Sequence, residues 1–422
     1  MITRTALCSL SIAVGASCGR KPSPPIAASD VRGHVEVLAA DSLEGRGAGY
    51  SGEAKGAAYI ASRFRAAGLT TSTQRFYFLP RWPEHLGDSL MSRNVVAVLP
   101  GSDPKVAAEV VIVGAHHDGQ GMTGQADAGR LPATEPTAKG DTIWNSADDN
   151  ASSVAAILEI ARRLATNEPR PRRTIVFATF GAEEHALNGS AYLSEHVVPA
   201  GGHVVAMVNL EKIGRVPDHP LIMAGCSTSA DWAALVHEVN ASAGEHVECV
   251  LPELLTDTDH YPFGALGVPA VVLGTAHQED KHQPTDESTR LDFEALARRA
   301  RYIERFVVDL ADRQRHPAFD PKTQRGSGMV VVIGSPAERA SLGLGGYGVF
   351  KVGIVLPGLS AAKAGLRVGD FITTVNGSTL DAEPDDRLVE KALAKATGAR
   401  LAVRRGAERI ETTIESAAGA HR

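Results

Sequence analysis

The chain has 422 residues, of which 43% are hydrophobic and 22% are charged, and its formal net charge is −6. This length allows one large domain and a smaller one, and the composition is that of a globular protein with a sizeable core. The acidic balance excludes a general nucleic-acid binder, and because no apolar run reaches about 20 residues we expect no transmembrane span.

The N-terminal segment has the layout of a secretory signal peptide. Arg4 precedes an apolar stretch from Ala6 to Ala16 and a group of small residues, an order typical of export signals. The sequence GASC, which ends at Cys18, is similar to a bacterial lipobox. We therefore expect residues 1–29 to be a signal peptide and a Pro-rich spacer. The exported protein would be periplasmic, anchored as a lipoprotein through Cys18, or secreted; the alternative is a disordered cytosolic tail.

From residue 30 onwards, helix and strand signals alternate. Residues 31–69 predict two helices around a Gly-rich loop. Short β-branched runs then predict strands, and apolar residues at helical spacing predict the helices between them. The strand segments are NVVAVLP, EVVIVGAH, RRTIVFATF, HVVAMVNLEKIG and GVPAVVLGT, and the last helix covers residues 291–312. This order predicts an α/β domain over residues 30–313, with a mixed, centrally parallel sheet and helices on both faces.

A second domain follows a polar linker at residues 314–328. Residues 329–418 contain short strand segments, namely MVVVIG, GVFKVGIV, FITTVNG, RLAVRRG and RIETTIE, and one helix near residues 384–396. This pattern predicts a small β-rich domain.

Two cysteines, Cys226 and Cys249, lie in the first domain outside the predicted leader. They could form a disulfide in an oxidising compartment, but their spacing alone does not show it. No CxxC motif or Cys-His cluster surrounds them, so they do not indicate a metal site.

Histidine and acidic residues recur at the ends of the predicted strands. His116 directly follows one strand, and Asp118 lies two residues later, which places both side chains on the same face of an extended backbone. Asp118 could then hold the second imidazole nitrogen of His116. The other residues of this kind are Asp148 and Asp149 in NSADDNASS, Glu183 and Glu184 in GAEEH, Glu211 in VNLEKIG, and His282 and Asp286 in KHQPTDE.

These residues predict a metal site, because ligands bind at the carboxyl ends of strands in an open α/β sheet. Imidazole and carboxylate groups together favour Zn²⁺ over Mg²⁺ or Ca²⁺. Five ligands with one bridging carboxylate would hold two zinc ions roughly 3.5–4 Å apart. A neighbouring carboxylate that binds no metal could accept a proton from a metal-activated water.

The order of motifs AHHD, ADDNAS, GAEE, NLEKIG, DTDHYPFGALGVPAVVLGT and HQPTDE resembles the co-catalytic dizinc aminopeptidase family. That family includes secreted bacterial leucyl aminopeptidases and relatives of glutamate carboxypeptidase, and the resemblance covers roughly residues 30–312. It implies Glu183 as the general base, with Asp118 beside the catalytic group. It also implies a set of metal ligands: His116, Asp149 as the bridge, Glu184, Glu211 and His282.

Two positions depart from the family pattern. Glu211 stands where Asp is more common, which keeps a carboxylate on a longer arm. Lys281 stands where a Tyr usually stabilises the oxyanion, and it could supply positive charge to the same oxygen or point to solvent. The resemblance also implies Asp259, His260 and Asp286 as substrate-binding or supporting residues.

The C-terminal domain resembles a PDZ domain. PGLSAAKAGLRVGDFITTVNG, residues 357–377, is close to the bacterial PDZ pattern. Leu342, Gly343 and Leu344 are similar to the loop whose backbone N–H groups receive a peptide C-terminus. Such domains add an extended peptide to a sheet edge. The alternative is that the domain only packs on the first one.

Together these features predict a zinc-dependent exopeptidase that acts on a peptide or protein. The leading expectation is an aminopeptidase that hydrolyses N-terminal peptide bonds with a metal-activated water and a glutamate base. A glutamate-carboxypeptidase-like hydrolase is the first alternative, and a glutaminyl cyclase is less favoured because one zinc suffices there. A catalytically inert, PDZ-bearing binding protein is the alternative from another class.

Overall fold

A computed structural model describes most of the chain. The described residues are 24–78, 90–125, 140–185, 187–196, 202–215, 220–242, 244–251, 255, 257–276, 279–323, 327, 329–333, 340–343, 350–355, 358–379 and 398–415. The predicted signal peptide with Cys18, the predicted helix near residues 384–396 and Leu344 of the predicted PDZ loop lie outside them.

The first domain is built on an eight-stranded sheet. Its strands are β1 (Thr70–Phe78), β2 (Leu90–Leu99), β3 (Glu109–His116), β6 (Thr174–Phe180), β7 (His203–Glu211), β8 (Ile222–Ala224), β9 (Glu248–Leu251) and β10 (Ala270–Gly274). Their order is β1-β2-β6-β3-β7-β10-β8-β9. The central pairs β6–β3, β3–β7 and β7–β10 are parallel, whereas β1–β2, β2–β6 and β10–β8 are antiparallel. This confirms the predicted mixed, centrally parallel sheet. The short strands β4 (Gly121–Met122) and β5 (Ile143–Trp144) pair separately.

Helices cover both faces of this sheet. They are α1 (Ala28–Leu38), α2 (Ser51–Ala66), α3 (Ser153–Thr166), α4 (Asn188–His196), α5 (Asp231–Asn240), α6 (Tyr261–Ala265) and α7 (Phe293–Asp312). Alternate residues of β3 enter different cores, as the pleat of a strand requires. Val111 and Val113 pack into the core beneath α1, α3, α5 and α7, and Val110 and Ile112 pack into the core on the opposite face. A strand buried on both faces needs the continuous apolar run that the sequence shows there.

The second domain is an antiparallel sheet that packs on the first. Its strands are β11 (Met329–Ile333), β12 (Phe350–Val355), β13 (Phe371–Val375), β14 (Ser378–Thr379), β15 (Ala399–Arg405) and β16 (Glu408–Ile414), with a short helix α8 (Ser360–Lys363). The order is β11-β12-β13-β15-β16, with β14 on β13. Met329 and Phe350 share one apolar cluster with Phe76 and Phe78 of β1. The two domains therefore have a common core at this contact.

Cys226 and Cys249 form a disulfide with an S–S distance of 1.96 Å. It joins the end of β8 to the neighbouring edge strand β9 and so resolves what the spacing left open. Within the described residues, no helix combines the length and the apolar character needed to cross a bilayer.

Candidate metal centre

The five predicted ligands meet at the carboxyl ends of the central strands. His116 is the last residue of β3, and Glu211 is the last residue of β7. Asp149 lies in an irregular helical turn, Ala147–Ser152, that leads into α3. Glu184 follows β6 and His282 follows β10. Because these parallel strands end at one edge of the sheet, residues far apart in sequence converge there.

The first group of three ligands contains His116, Asp149 and Glu211. Nε2 of His116 lies 3.2 Å from Oδ1 of Asp149 and 3.3 Å from Oε1 of Glu211. All three side chains are buried. One imidazole and two carboxylates are a donor set suited to Zn²⁺.

The second group contains Asp149, Glu184 and His282. Nε2 of His282 lies 3.0 Å from Oε2 of Glu184 and 3.6 Å from Oδ2 of Asp149. In both groups the donor atoms lie within 4.8 Å of one another, and Asp149 belongs to both. His116, Glu183 and Glu184 form a third group of the same kind. Within the described residues, Oδ2 of Asp149 and Oε1 of Glu184 are buried and accept no hydrogen bond. Because a buried carboxylate oxygen without a donor is costly, these atoms fit cation binding.

Asp118 holds the turn that carries the two adjacent glutamates. Its carboxylate accepts hydrogen bonds from the backbone N–H groups of Glu183 (3.1 Å) and Glu184 (3.2 Å). The predicted contact with His116 is different in detail: the Asp118 carbonyl oxygen lies 3.2 Å from Nδ1, whereas the nearest carboxylate oxygen lies 3.7 Å away. The carboxylate is turned away because the two N–H groups engage both of its oxygens.

The adjacent glutamates have opposite electrostatic environments. Burial raises the pKa of Glu183 well above its ordinary value, and Glu184, Asp259 and Glu211 raise it further. Burial also acts on Glu184, but contact with His282 outweighs it and lowers the pKa of Glu184 to about 2. Oε2 of Glu183 remains 4.0 Å from Nε2 of His116. Glu184 is therefore strongly ionised, whereas Glu183 holds a proton more readily.

Asp286 supports the turn that carries Asp149. Its two carboxylate oxygens accept hydrogen bonds from the backbone N–H groups of Asp148 (2.8 Å) and Asp149 (3.0 Å). Asp148 in turn accepts a 2.7 Å hydrogen bond from the N–H of Gly214. Asp286 and Asp148 therefore bind backbone N–H groups, whereas the carboxylate of Asp149 belongs to both ligand groups.

Arg46 is a supporting residue that the sequence patterns did not reveal. Its fully buried guanidinium donates from Nε to the carbonyl of His117 (2.8 Å), and from Nη1 and Nη2 to the carbonyls of Asn145 (2.9 Å) and Ser146 (2.8 Å). Burial lowers the pKa of Arg46 to about 10, so it stays charged at neutral pH. It ties the segment after His116 to the segment before Asp149. The only sequence signal was its position in the Gly-rich stretch LEGRGAG.

Asp259 and His260 lie at the start of α6 and are both fully buried. Burial raises the pKa of Asp259 to about 8, and Asp259 is close enough to raise the pKa of Glu183. His260 contacts Thr258 through Nδ1 at 2.5 Å and packs against Gly225, where a Cβ would approach its ring to 3.2 Å. Asp259 is therefore near the catalytic groups, whereas His260 supports the loop behind them.

A cavity of about 530 Å³ opens onto the two ligand groups. Lys281 lines it, beside His282. Burial alone would lower the pKa of Lys281, but Asp149, Glu184, Glu211 and Glu183 raise it above the ordinary value. Of the two orientations that the sequence left open, the structure shows the one that faces the cavity. Lys212 lines the same cavity. It directly follows Glu211 but was not among the predicted site residues.

Comparison with known proteins agrees with this site. The model of peptidase family M28 matches residues 94–307, and the PDZ domain model matches residues 318–403. Leupeptin-inactivating enzyme 1 of Streptomyces exfoliatus is 26% identical over 209 residues, which are 48% of this chain and 40% of that protein. A probable zinc metalloprotease of Pyricularia oryzae is 35% identical over 122 residues, 29% of this chain and 21% of that protein. The chain thus spans less than half the length of these curated relatives.

Among solved structures, an aminopeptidase from Aneurinibacillus sp. strain AM-1 has a similar fold. Its TM-score is 0.54 at 19% identity, and the match covers 70% of this chain and 96% of that one. The peptidase match covers half of the present chain and contains all five residues that form the two ligand groups. The chain therefore belongs to peptidase family M28, the co-catalytic zinc aminopeptidase family that its motifs indicated, and it carries a PDZ domain after the peptidase domain.

Proposed function

We propose that the chain is a zinc-dependent exopeptidase with two zinc ions, and that it removes residues from the N-terminus of peptides. The observation that carries this proposal is the sharing of Asp149 by two groups of three donors. A carboxylate between two such groups is the arrangement expected for two metal ions roughly 3.5–4 Å apart. His116 and Glu211 would hold one ion, and Glu184 and His282 would hold the other.

Zinc, when bound, supplies a Lewis acid for the scissile carbonyl and lowers the pKa of a water molecule. Glu183 is suited to take the proton from that water. It lines the cavity beside both ligand groups, and its Oε2 lies 4.0 Å from Nε2 of His116. A general base must lie within reach of the proton that it removes. Glu183 can then deliver the proton to the leaving amine.

Lys281 is suited to stabilise negative charge on the carbonyl oxygen during the reaction. It faces the cavity among four carboxylates that keep it protonated. A fixed positive charge near a developing oxyanion is worth most where water is excluded. This residue would take the place of the tyrosine that other members of the family commonly use.

The test of this proposal is hydrolysis of a panel of aminoacyl chromogenic amides together with metal analysis. The wild-type protein should contain about two zinc ions per chain and release N-terminal residues. Glu183→Gln should keep its zinc and lose turnover by about 10²–10⁴-fold. Equal turnover in the variant would contradict the role of Glu183, and bound zinc without turnover on any N- or C-terminal substrate would contradict the exopeptidase.

We propose in addition that the PDZ domain receives a peptide C-terminus. Leu342 and Gly343 follow a helical turn, and Gly343 has a φ of +66°, a backbone suited to a tight loop that presents N–H groups. Leu344, which completes the predicted loop, lies outside the described residues. Binding of fluorescent peptides with a free or an amidated C-terminus would test this role, because only the free carboxylate should bind.

We also propose that the protein is exported, and that Cys18 is its lipidation site where an anchor is used. The disulfide between Cys226 and Cys249 supports an oxidising compartment, because such bonds rarely persist in a reducing cytosol. Fractionation of cells that express the wild type and Cys18→Ser would test both statements. Release of the variant from the membrane fraction is expected for a lipoprotein, and a cytosolic wild type would contradict export.

A further inference from the structure

The cavity next to the ligand groups has two chemically different sides. One side is aliphatic, where β10, β8 and β9 lie next to each other in the sheet. Its residues are Ile222, Ala224, Leu251, Leu255 and Val272. The other side carries the catalytic carboxylates and two lysines, Lys212 and Lys281. An aliphatic wall alone would suit a purely apolar side chain, so the two lysines require a separate explanation.

Lys212 is the more unusual of the two lysines. It is only 5% exposed, although lysine is almost never fully buried without a partner. Among the described residues, no carboxylate oxygen lies within 4.0 Å of its ammonium group and no hydrogen bond from that group is present, and the same holds for Lys281. Both lysines therefore bring positive charge to the cavity without a direct partner there.

The backbone of Lys212 is fixed in place. Its φ is +49°, a left-handed conformation that is rare for a residue with a side chain. Its N–H donates to Oδ1 of Asn150 (3.1 Å), and its carbonyl accepts from the hydroxyl of Thr275 (2.6 Å). These two hydrogen bonds hold the backbone of Lys212 in its strained conformation. Strain of this kind clusters at binding sites.

The nearby carboxylates do not supply a lasting partner for Lys212. Asp149 lines the same cavity as Lys212. However, Asp149 is the shared member of both ligand groups. The three ligand carboxylates and Glu183, which line the cavity, together only balance the charge of two divalent cations. In the metal-loaded protein, Lys212 and Lys281 would therefore face the cavity with uncompensated charge.

On this basis we infer that the cavity binds a carboxylate of the substrate at Lys212, with the carbon stem that bears it packed on the aliphatic wall of Ile222 and Val272. This inference rests on the proposed exopeptidase function and names its substrate class. The carboxylate has two sources: the side chain of an N-terminal glutamate or aspartate, or the free C-terminal α-carboxylate. A buried lysine discriminates strongly between a carboxylate and its amide, because the amide leaves the ammonium without a counter-charge.

Two substrate arms test the inference on the zinc-loaded wild-type protein. The first arm compares glutamyl and glutaminyl p-nitroanilide, which have nearly equal shapes. The second arm compares an N-acylated dipeptide acid with its C-terminal amide. We expect kcat/KM to favour the acid by at least about tenfold in one arm, which corresponds to about 1.4 kcal/mol. The arm that shows the preference identifies the source of the carboxylate.

Lys212→Met should lower the acid-to-amide ratio of kcat/KM towards one, mainly through KM, and Lys212→Arg should restore most of it. The matched control is Lys322→Met, which removes an exposed lysine outside the cavity and should leave the ratio unchanged. Should Lys212→Met not fold, inhibition of the wild type provides the second measurement: glutarate should inhibit at least about tenfold more strongly than its monoamide.

The outcomes separate this inference from the proposed function. Equal cleavage of acid and amide in both arms, or equal inhibition by glutarate and its monoamide, would overturn the carboxylate site and leave the exopeptidase intact. A Lys212→Met variant that folds and keeps the wild-type ratio would overturn the role of Lys212. Failure to cleave any substrate in either arm, by a protein that does cleave other aminoacyl amides, would likewise overturn the carboxylate site. Only absence of turnover on the whole panel of N- and C-terminal substrates would contradict the exopeptidase itself.

Discussion

Nε2 of His282 and Oε2 of Glu184 approach each other to 3.0 Å at the edge of the central sheet. This contact distinguishes Glu184 from its neighbour Glu183, which lies nearest to the other histidine at 4.0 Å. Two adjacent glutamates can diverge in this way because they occupy an irregular turn after β6, and Asp118 holds the backbone of that turn. The divergence supports the proposal that Glu184 binds metal and Glu183 transfers the proton.

Glu184→Gln should therefore lower the zinc content, because it removes a charged donor from the group around His282. We expect at least one of the two proposed ions to be lost on dialysis, measured as zinc per chain by mass spectrometry. Glu183→Gln is the matched control, with the same chemical change at the adjacent position and full zinc content expected. Loss of zinc in both variants, or in neither, would contradict the assignment.

Arg46→Met should weaken metal binding, although Arg46 touches no ligand side chain. Its hydrogen bonds fix the carbonyls of His117 and Ser146, which adjoin two ligand-bearing segments. Changes to groups that orient ligands typically cost about 10–100-fold in metal affinity. The measurement is competition for zinc with a chelator of known affinity, after circular dichroism has shown that the variant folds.

Arg173→Met is the control for general destabilisation. Arg173 is 1% exposed and donates to the backbone carbonyls of Ala311 and Arg313. It precedes β6, at the opposite end of the sheet from the ligands. Both arginine variants should unfold at lower temperature, and only the Arg46 variant should lose zinc affinity. Equal zinc affinity in the two variants would show that Arg46 supports the fold alone.

The sequence was most informative where one segment carries both an apolar run and the polar residue that ends it. β3 and β7 are of this kind: each strand was correctly predicted, and each ends at the residue predicted as a ligand. β1, β8 and β9 were not predicted. Only two residues of β1 are buried, all of β9 is exposed, and β8 has only three residues. Such strands are too short, or lack the buried face, to create a hydrophobic pattern. These strands form because they pair with neighbouring strands of the sheet.

The supporting residues were hidden for a different reason. Three of the backbone carbonyls that accept from Arg46 lie 71 to 100 residues away in sequence. A carbonyl group belongs to every residue, so no side-chain motif marks the acceptor. Lys212 stands inside a motif that was recognised, but its burial and its orientation depend on the neighbouring loops. The ligands were predictable because their chemistry resides in the side chains themselves.

Glu159→Gln should lower stability in a pH-dependent manner. Glu159 accepts a hydrogen bond from Arg162 at 2.7 Å and lies 3.0 Å from Nε2 of His34 on α1. Burial opposes ionisation, but His34 and Arg162 outweigh it and lower the pKa of Glu159. A lowered carboxylate pKa stabilises the fold above the unfolded-state pKa of about 4.3, and this contribution is lost as the pH falls.

The expected loss at pH 7 is about 1 kcal/mol, which is modest because desolvation offsets part of the attraction. Urea unfolding of wild type and variant at pH 7 and pH 3.5 measures it. The two proteins should differ most at pH 7, and the difference should be smaller at the lower pH. A difference that stays constant across this range would mean that the charge of Glu159 is not the cause.

Replacement of both Cys226 and Cys249 by Ser should destabilise the peptidase domain by about 3 kcal/mol, because the disulfide closes a loop between positions 23 residues apart. The replacement should also disturb the cavity, because β9 lies at the sheet edge and its residue Leu251 forms part of the cavity wall. Thermal unfolding measures the first effect. A rise in KM for the preferred substrate at a temperature where the variant is folded measures the second.

Met329→Lys should weaken the contact between the two domains. Met329 is 3% exposed in the cluster that also contains Phe76 and Phe78, and a buried ammonium without a partner is strongly unfavourable. We expect the linker near residues 314–328 to be cleaved faster in limited proteolysis and the unfolding free energy to fall by about 2–4 kcal/mol. Val368→Lys, at a position that is 60% exposed in the same domain, should change neither quantity. Unchanged proteolysis of Met329→Lys would show that the shared cluster does not hold the domains together.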